Sequence, residues 1–236
     1  MNCEEFSNEF DTLFSSYLRI RKFDDKQSYD TVEIDEYEKS IFLTRAQEEL
    51  IVELYSGKNP FRDSFDSSEE VKKYLAPHIK SYKTTESVTN ATRLYHATAV
   101  FALPVDVLYS VYEEATLNIS PLSVNALNVE VKPCTYDDYH YLNKNPFKGP
   151  NINRVLRLDL GNNQSELTAS YPITSYSMRY IAKLSPIILE DLIGLTVNGV
   201  ALKTECTVHP ILHNEILKRA VQIALNKYGL TNKQSV

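Results

Sequence analysis

The stretch Asn145-Pro146-Phe147-Lys148-Gly149-Pro150 constrains this chain more than any other. Pro146 lacks an amide hydrogen and clashes with a preceding helical turn, so a helix that reaches Asn145 must stop there. Thr135-Tyr136-Asp137-Asp138 supplies the start of such a helix. Two prolines then fix φ, and Gly149 permits a sharp reversal, which makes a stiff, turned crossing. Beyond it Arg154–Leu160 alternates apolar and charged residues as a strand does. Gly161-Asn162-Asn163 reads as a hairpin turn, and Glu166–Tyr171 returns. Tyr176–Ala182 and Pro186–Leu189 read as further strands. The pattern from 131 to 192 predicts an antiparallel meander with one buried face.

The flanking chain is more helical. Phe6, Phe10, Leu13, Phe14 and Tyr17 make one stripe of a helix over 4–20, followed by a polar loop over 21–30. Asp35-Glu36-Tyr37-Glu38 opens a short helix. Thr44-Arg45-Ala46-Gln47 matches a capping box and predicts a second, stronger helix that runs to Gly57, with Asn59-Pro60 beyond it. Ser67-Ser68-Glu69-Glu70 caps a third helix to Leu75, ended by Pro77. Residues 80–93 read as an extended hairpin arm, and Leu94–Leu103 as a strand. Pro104 suits a first helical turn, and Leu108, Val111, Tyr112 and Ala115 follow at helical spacing, so a helix is expected to end near Asn118. Leu127-Asn128-Val129-Glu130-Val131 alternates as a strand. His209-Pro210 starts a last helix with Leu212, Ile216, Ala220, Ile223 and Ala224 inward and Gly229 as its stop; the tail LTNKQSV is expected to be loose. No composition shift marks a boundary. Residues 1–236 therefore read as one α+β domain, with helices packed around an antiparallel sheet and extended arms.

Composition removes whole classes of function. The net charge is −6 and no block of five Lys/Arg occurs, so no surface built to grip nucleic acid is indicated. Only 6 glycines are present, and Walker A, G-x-G-x-x-G and G-x-S-x-G are missing. Gly57-Lys58 alone is not a phosphate loop. The odd, scattered cysteines Cys3, Cys134 and Cys206 give no disulfide framework and suit a reducing cytoplasm. The N-terminus lacks a signal-peptide core, and no apolar run is long enough for a membrane span, so no membrane role is expected. The sequons at Asn90, Asn118 and Asn163 then carry no meaning.

Two constellations hold residue types that do chemistry. Cys206, His209 and His213 have zinc-compatible types and spacing, but a structural site needs a fourth ligand, and Cys134 or His140 would have to come from mid-chain. Asp137 and Asp138 are adjacent and point about 100° apart on a helix, which suits the helix dipole better than a shared proton. No catalytic residue, metal ligand or cofactor is assigned. Arg154, Arg157 and Arg179 lie on expected strands, with Tyr180 beside the last. Arg154 and Arg157 are three apart and face opposite sides of a regular strand. They are candidates for anchoring a partner's carboxylates or the packed crossing.

Five segments are familiar as a set: EYEKSIFLTRAQEELIVELYSG, PVDVLYSVYEEA, Val131–Leu160, SYSMRYIAKLSPIIL and HPILHNEILKRAVQIAL. Together they resemble the ring (adaptor) proteins of crAss-like tailed bacteriophages, which join the portal vertex to the tail. The resemblance implies a non-enzymatic homo-oligomeric ring, twelvefold to match the portal, in the virion neck, assembled in the host cytoplasm. Its implied partners are further copies of itself, the portal protein and other neck or tail ring proteins, with DNA passing through the lumen unbound. Asn145, Pro146, Phe147, Arg154, Arg157, Arg179, Tyr180 and the Tyr-rich extended segments become interface candidates, since Tyr occurs 16 times and suits contact surfaces. Rival readings are another tail or capsid-associated protein, a small phage metal-dependent or nucleic-acid-processing enzyme, and a regulatory binding protein of the host.

Overall fold

The computed structural model describes residues 1–24, 33–57, 68–93, 96–119 and 126–229. Most of the expected 21–30 loop, Asn59-Pro60, Ser67, Leu94 and the 230–236 tail lie outside the described residues. Helices and strands both contribute heavily, as an α+β chain requires. Two compact units emerge: Met1–Pro77 with Leu184–Val236, and His78–Lys183. Among the described residues no helix is long and apolar enough to cross a membrane.

The first unit is helical. Helix α1 spans Cys3–Asp24 and buries Phe6, Phe10 and Phe14, while Tyr17 of the expected stripe faces outward. Helix α2 spans Glu36–Ser56 without a break; Asp35 caps it by accepting from the Glu38 amide at 2.7 Å, and Gly57 stops it at φ 70°. Phe10 stacks on Phe42 of α2 with ring centroids 6.4 Å apart. The second cap expected at Thr44 is therefore a misreading. Thr44 is buried mid-helix, and its hydroxyl exchanges hydrogen bonds with both backbone groups of Ile187. Ser40 accepts from the Leu189 amide and Gln47 donates to the Ser185 carbonyl. Positions 40, 44 and 47 share one helical face, so a polar stripe binds a strand-like segment. That segment, expected as the strand Pro186–Leu189, makes only a single bridge, Ile188 to Thr204; α2 side chains take the place of a neighbouring strand. Helix α3, Glu69–Leu75, starts at Ser68, and Pro77 sits in a 3-10 turn that follows it. Pro210–Leu212 forms another 3-10 turn into α5, His213–Lys227, which buries Ile216, Ala220 and Ala224, with Ile223 half-buried.

The second unit is a sheet of β1 (Ile79–Thr84), β2 (Thr89–Arg93), β3 (His96–Ala102), β4 (Val107–Asn118), β5 (Ala126–Pro133), β6 (Val155–Gly161), β7 (Gln164–Ala169) and β8 (Ile173–Ala182). Their order is β1-β8-β4-β5-β6-β7-β3-β2. The sheet is mixed. Every pairing is antiparallel except β5 with β6, whose crossover carries helix α4, Tyr136–Lys144. Strands β1 and β2 do not form the expected hairpin arm, because they lie at opposite ends of this order. The sheet curls on itself. Phe101 of β3 packs on Tyr176 of β8 at 5.6 Å between centroids, although four strands separate β3 from β8 in the order, and Tyr82 of β1 donates to the Ala102 carbonyl.

The helix expected after Pro104 is strand β4. Against β8 its register slips between Val107 and Tyr109 and again between Ser110 and Tyr112. Each slip is a bulge, which adds a residue and shifts the alternation. Inward positions then fall at Val107, Ser110, Glu113, Ala115 and Leu117, opposite inward residues of β8. Spacings of three in an otherwise two-periodic strand imitate a helix. The bulges also aim two polar residues, Ser110 and Glu113, at the interior.

Candidate assembly surface

Helix α4 is fixed to the sheet by hydroxyls. Thr135 caps it, Tyr136 donates to the Asp159 carbonyl at 2.5 Å, and Tyr139 pairs with the buried Thr168 of β7 at 2.7 Å. The helix ends at Asn145 as Pro146 demands. Asn145 Oδ1 then accepts from the amides of Phe147 at 2.8 Å and Lys148 at 3.0 Å, folding the turn around its own side chain. The Gly149 amide closes back on the Asn145 carbonyl at 2.7 Å. Arg154 donates to the Phe147 carbonyl at 3.1 Å, and Ser170 to that of Pro150 at 3.0 Å. On this rigid support Phe147 is 86% exposed. Gly149 serves closeness rather than reversal: a Cβ there would lie 2.5 Å from the carbonyl oxygens of Leu142 and Asn145.

The arginines divide. Arg154 braces the turn. Arg157, two residues past the interior Val155, points into the curled sheet and is 11% exposed. Its guanidinium pairs with Glu113 and Asp159 and reaches Ser110; Tyr176 donates to the other Glu113 oxygen at 2.9 Å. Burial, then the Glu113 charge, pushes the Tyr176 hydroxyl well above its ordinary range. Burial alone would lower the Arg157 pKa, but the Glu113 and Asp159 charges outweigh it and raise it. Arg179 is exposed on β8, and its neighbour Tyr180 is interior, donating to Asp106 at 3.0 Å. Lys80, then Tyr180, hold the Asp106 carboxyl below its usual range.

Cys206, His209 and His213 do not converge. Cys206 donates to Gln47, His209 accepts from the Ile211 amide beside Tyr74, and His213 donates from Nε2 to the Val208 carbonyl. Among the described residues no group of three or more His, Cys, Asp or Glu side chains could hold a metal ion.

A second apolar display escaped the sequence reading. Residues 188–204 leave and return through the Ile188–Thr204 bridge, the Leu192–Ala201 bond and the Val197–Val200 bridge. The tip is Asn198-Gly199, at φ 50° and 81°. Asn-Gly between β-branched residues is a strong signal for this turn. Its flanks hold Ile193, 97% exposed, Leu202, 70% exposed, and the exposed Leu195.

Comparison with known proteins places the chain in a family. The family described as phage tail ring protein 3/4 matches residues 1–235. Ring protein 3 of Bacteroides phage crAss001 is 40% identical over 238 residues, covering 99% of this chain and 100% of that protein. Ring protein 4/5 of the same phage is 33% identical over 239 residues, covering 97% and 94% respectively. The chain is a member of the phage tail ring protein 3/4 family, with a structural role in a virion ring.

Proposed function

We propose that the chain is a subunit of a homo-oligomeric ring in the phage neck, joining the portal vertex to the tail and enclosing a channel for DNA. A ring of twelve copies would match the portal. The observation that carries the assembly reading is Phe147: a large aromatic held almost fully in solvent by a turn whose hydrogen bonds are already made. An ordered anchor of this kind loses little entropy on docking, which is what a dominant interface residue needs. Exposed Arg179 is a second contact candidate. Asn145, Pro146 and Arg154 act by shaping the turn. Arg157 and Tyr180 would contribute by holding the strands that carry it. A net charge of −6 fits a channel that DNA crosses without being gripped.

The test is the native mass of the purified chain, alone and with its portal protein. A closed oligomer, formed alone or only on the portal, supports the reading. Phe147→Ser should then weaken assembly and leave the fold intact. A chain that stays monomeric and ignores the portal would sink it.

A further inference from the structure

Charge distinguishes the two apolar displays. From 139 to 158 the chain has no acidic residue, and the Phe147 turn is flanked by exposed Lys144 and Lys148. The 188–204 excursion has the opposite balance. Glu190 and Asp191 are exposed, separated from Ile193 by the buried Leu192; Glu205 follows, and Lys203 is the one cation. Each display therefore has an exposed apolar centre and a charged border, and the borders have opposite sign. A head-to-tail contact needs two different surfaces on one chain, each complementary to the other. Two like displays would repel across a two-fold axis.

We infer that the Phe147 turn of one copy docks on the Glu190–Lys203 excursion of the next, with Phe147 against Ile193 and Leu202 and with Lys148 facing Glu190. This rests on the ring reading and names the partner surface within it. Backbone on both sides is prearranged: Asn145 braces one turn, and the Asn198-Gly199 tip closes the other. The apolar centres supply affinity, and the charged borders set direction and exclude same-face pairing.

The experiment is a charge swap read by native mass, on the portal if assembly requires it. Lys148→Glu and Glu190→Lys are both exposed changes and should leave the fold unaltered. Each variant alone places like charges at every junction and should assemble about tenfold more weakly than wild type. Mixed in equal amounts, the two should co-assemble, because alternating copies place opposite charges at every junction. The double variant K148E/E190K should also assemble. If wild type assembles but mixing and the double variant restore nothing, the contact is wrong and the Phe147 turn belongs to another partner. If wild type never assembles, the ring reading itself fails.

Discussion

Arg157 reaches Glu113 between strands β6 and β4, which share no backbone hydrogen bond. Strand β5 separates them, pairing with β4 only from Glu114 to Asn118 and with β6 only at Val131–Pro133. Where the ladder lapses, an interior ion pair ties the two sides together. Glu113 reaches that position because two bulges in β4 turn it inward.

Removing one partner of this pair is expected to cost more than removing both. Glu113 is 4% exposed, so Glu113→Ala leaves the Arg157 charge buried without its main counter-ion, at a cost of about 3–5 kcal/mol. Glu113→Leu with Arg157→Met should lie closer to wild type. Urea unfolding of Glu113→Leu, of Arg157→Met and of the two combined checks this. Additive single losses would mean that the pair acts as two independent contacts.

The legibility of the sequence followed the physics. Several readings that rested on one local rule held: Asp35 and Thr135 as caps, Gly57 as a stop, Pro146 ending α4, and Gly161-Asn162-Asn163 as a turn; the local rule at Pro104 did not, because a strand follows it. The reading failed where tertiary packing reused a local pattern. Thr44 and Gln47 match a capping box because both face the same buried backbone. Leu108 and Val111 fall at helical spacing because each is the extra residue of a bulge, while Tyr112 is exposed on the strand. Sheet order and the β5–β6 parallel pair depend on partners distant in sequence. The stop before Pro146 was legible because proline acts locally, whereas the role of Gly149, close approach to the Leu142 and Asn145 carbonyls, depends on the folded turn. The Asn198-Gly199 turn carried an equally local signal that the reading passed over.

Thr44→Val tests the polar stripe of α2. The substitution keeps the shape and removes the hydroxyl, leaving the Ile187 amide and carbonyl without that partner. Ile187 is fully buried, so the loss should be about 1–3 kcal/mol, measured by thermal or denaturant unfolding. A near-neutral change would show that another group takes up both bonds.

The helical unit should weaken in mild acid. His213 is buried against Phe6, donates from Nε2 to the Val208 carbonyl, and lies 2.9 Å through Nδ1 from the Met1 amine. Burial first, together with the Met1 and His209 charges, lowers its pKa below the ordinary 6.5; the Val208 bond and Glu5 act the other way. The fold therefore favours the neutral ring. Its contribution is complete above about pH 6.5 and declines as pH falls toward the lower folded value. Unfolding at pH 7.5 and pH 5.5 should show the loss, and His213→Gln should flatten it. An unchanged slope in that variant would assign the effect to other groups.

Gly149→Ala separates the turn from the aromatic it presents. The added Cβ meets two backbone oxygens at 2.5 Å, and neither can swing away as a side chain could. The chain must open either the Gly149–Asn145 bond or the end of α4, at about 1–3 kcal/mol. Phe147 itself is retained. If presentation of the ring is what matters, this variant should lose assembly much as Phe147→Ser does, while β6 and β7 keep their protection against hydrogen exchange. The Phe147 and Lys148 amides, which donate to Asn145, should exchange faster. Asn145→Ala, which removes those two acceptor contacts for about 1–2 kcal/mol, should move the same amides. Faster exchange with assembly unchanged would show that Phe147 docks from a loose turn as well as from an ordered one.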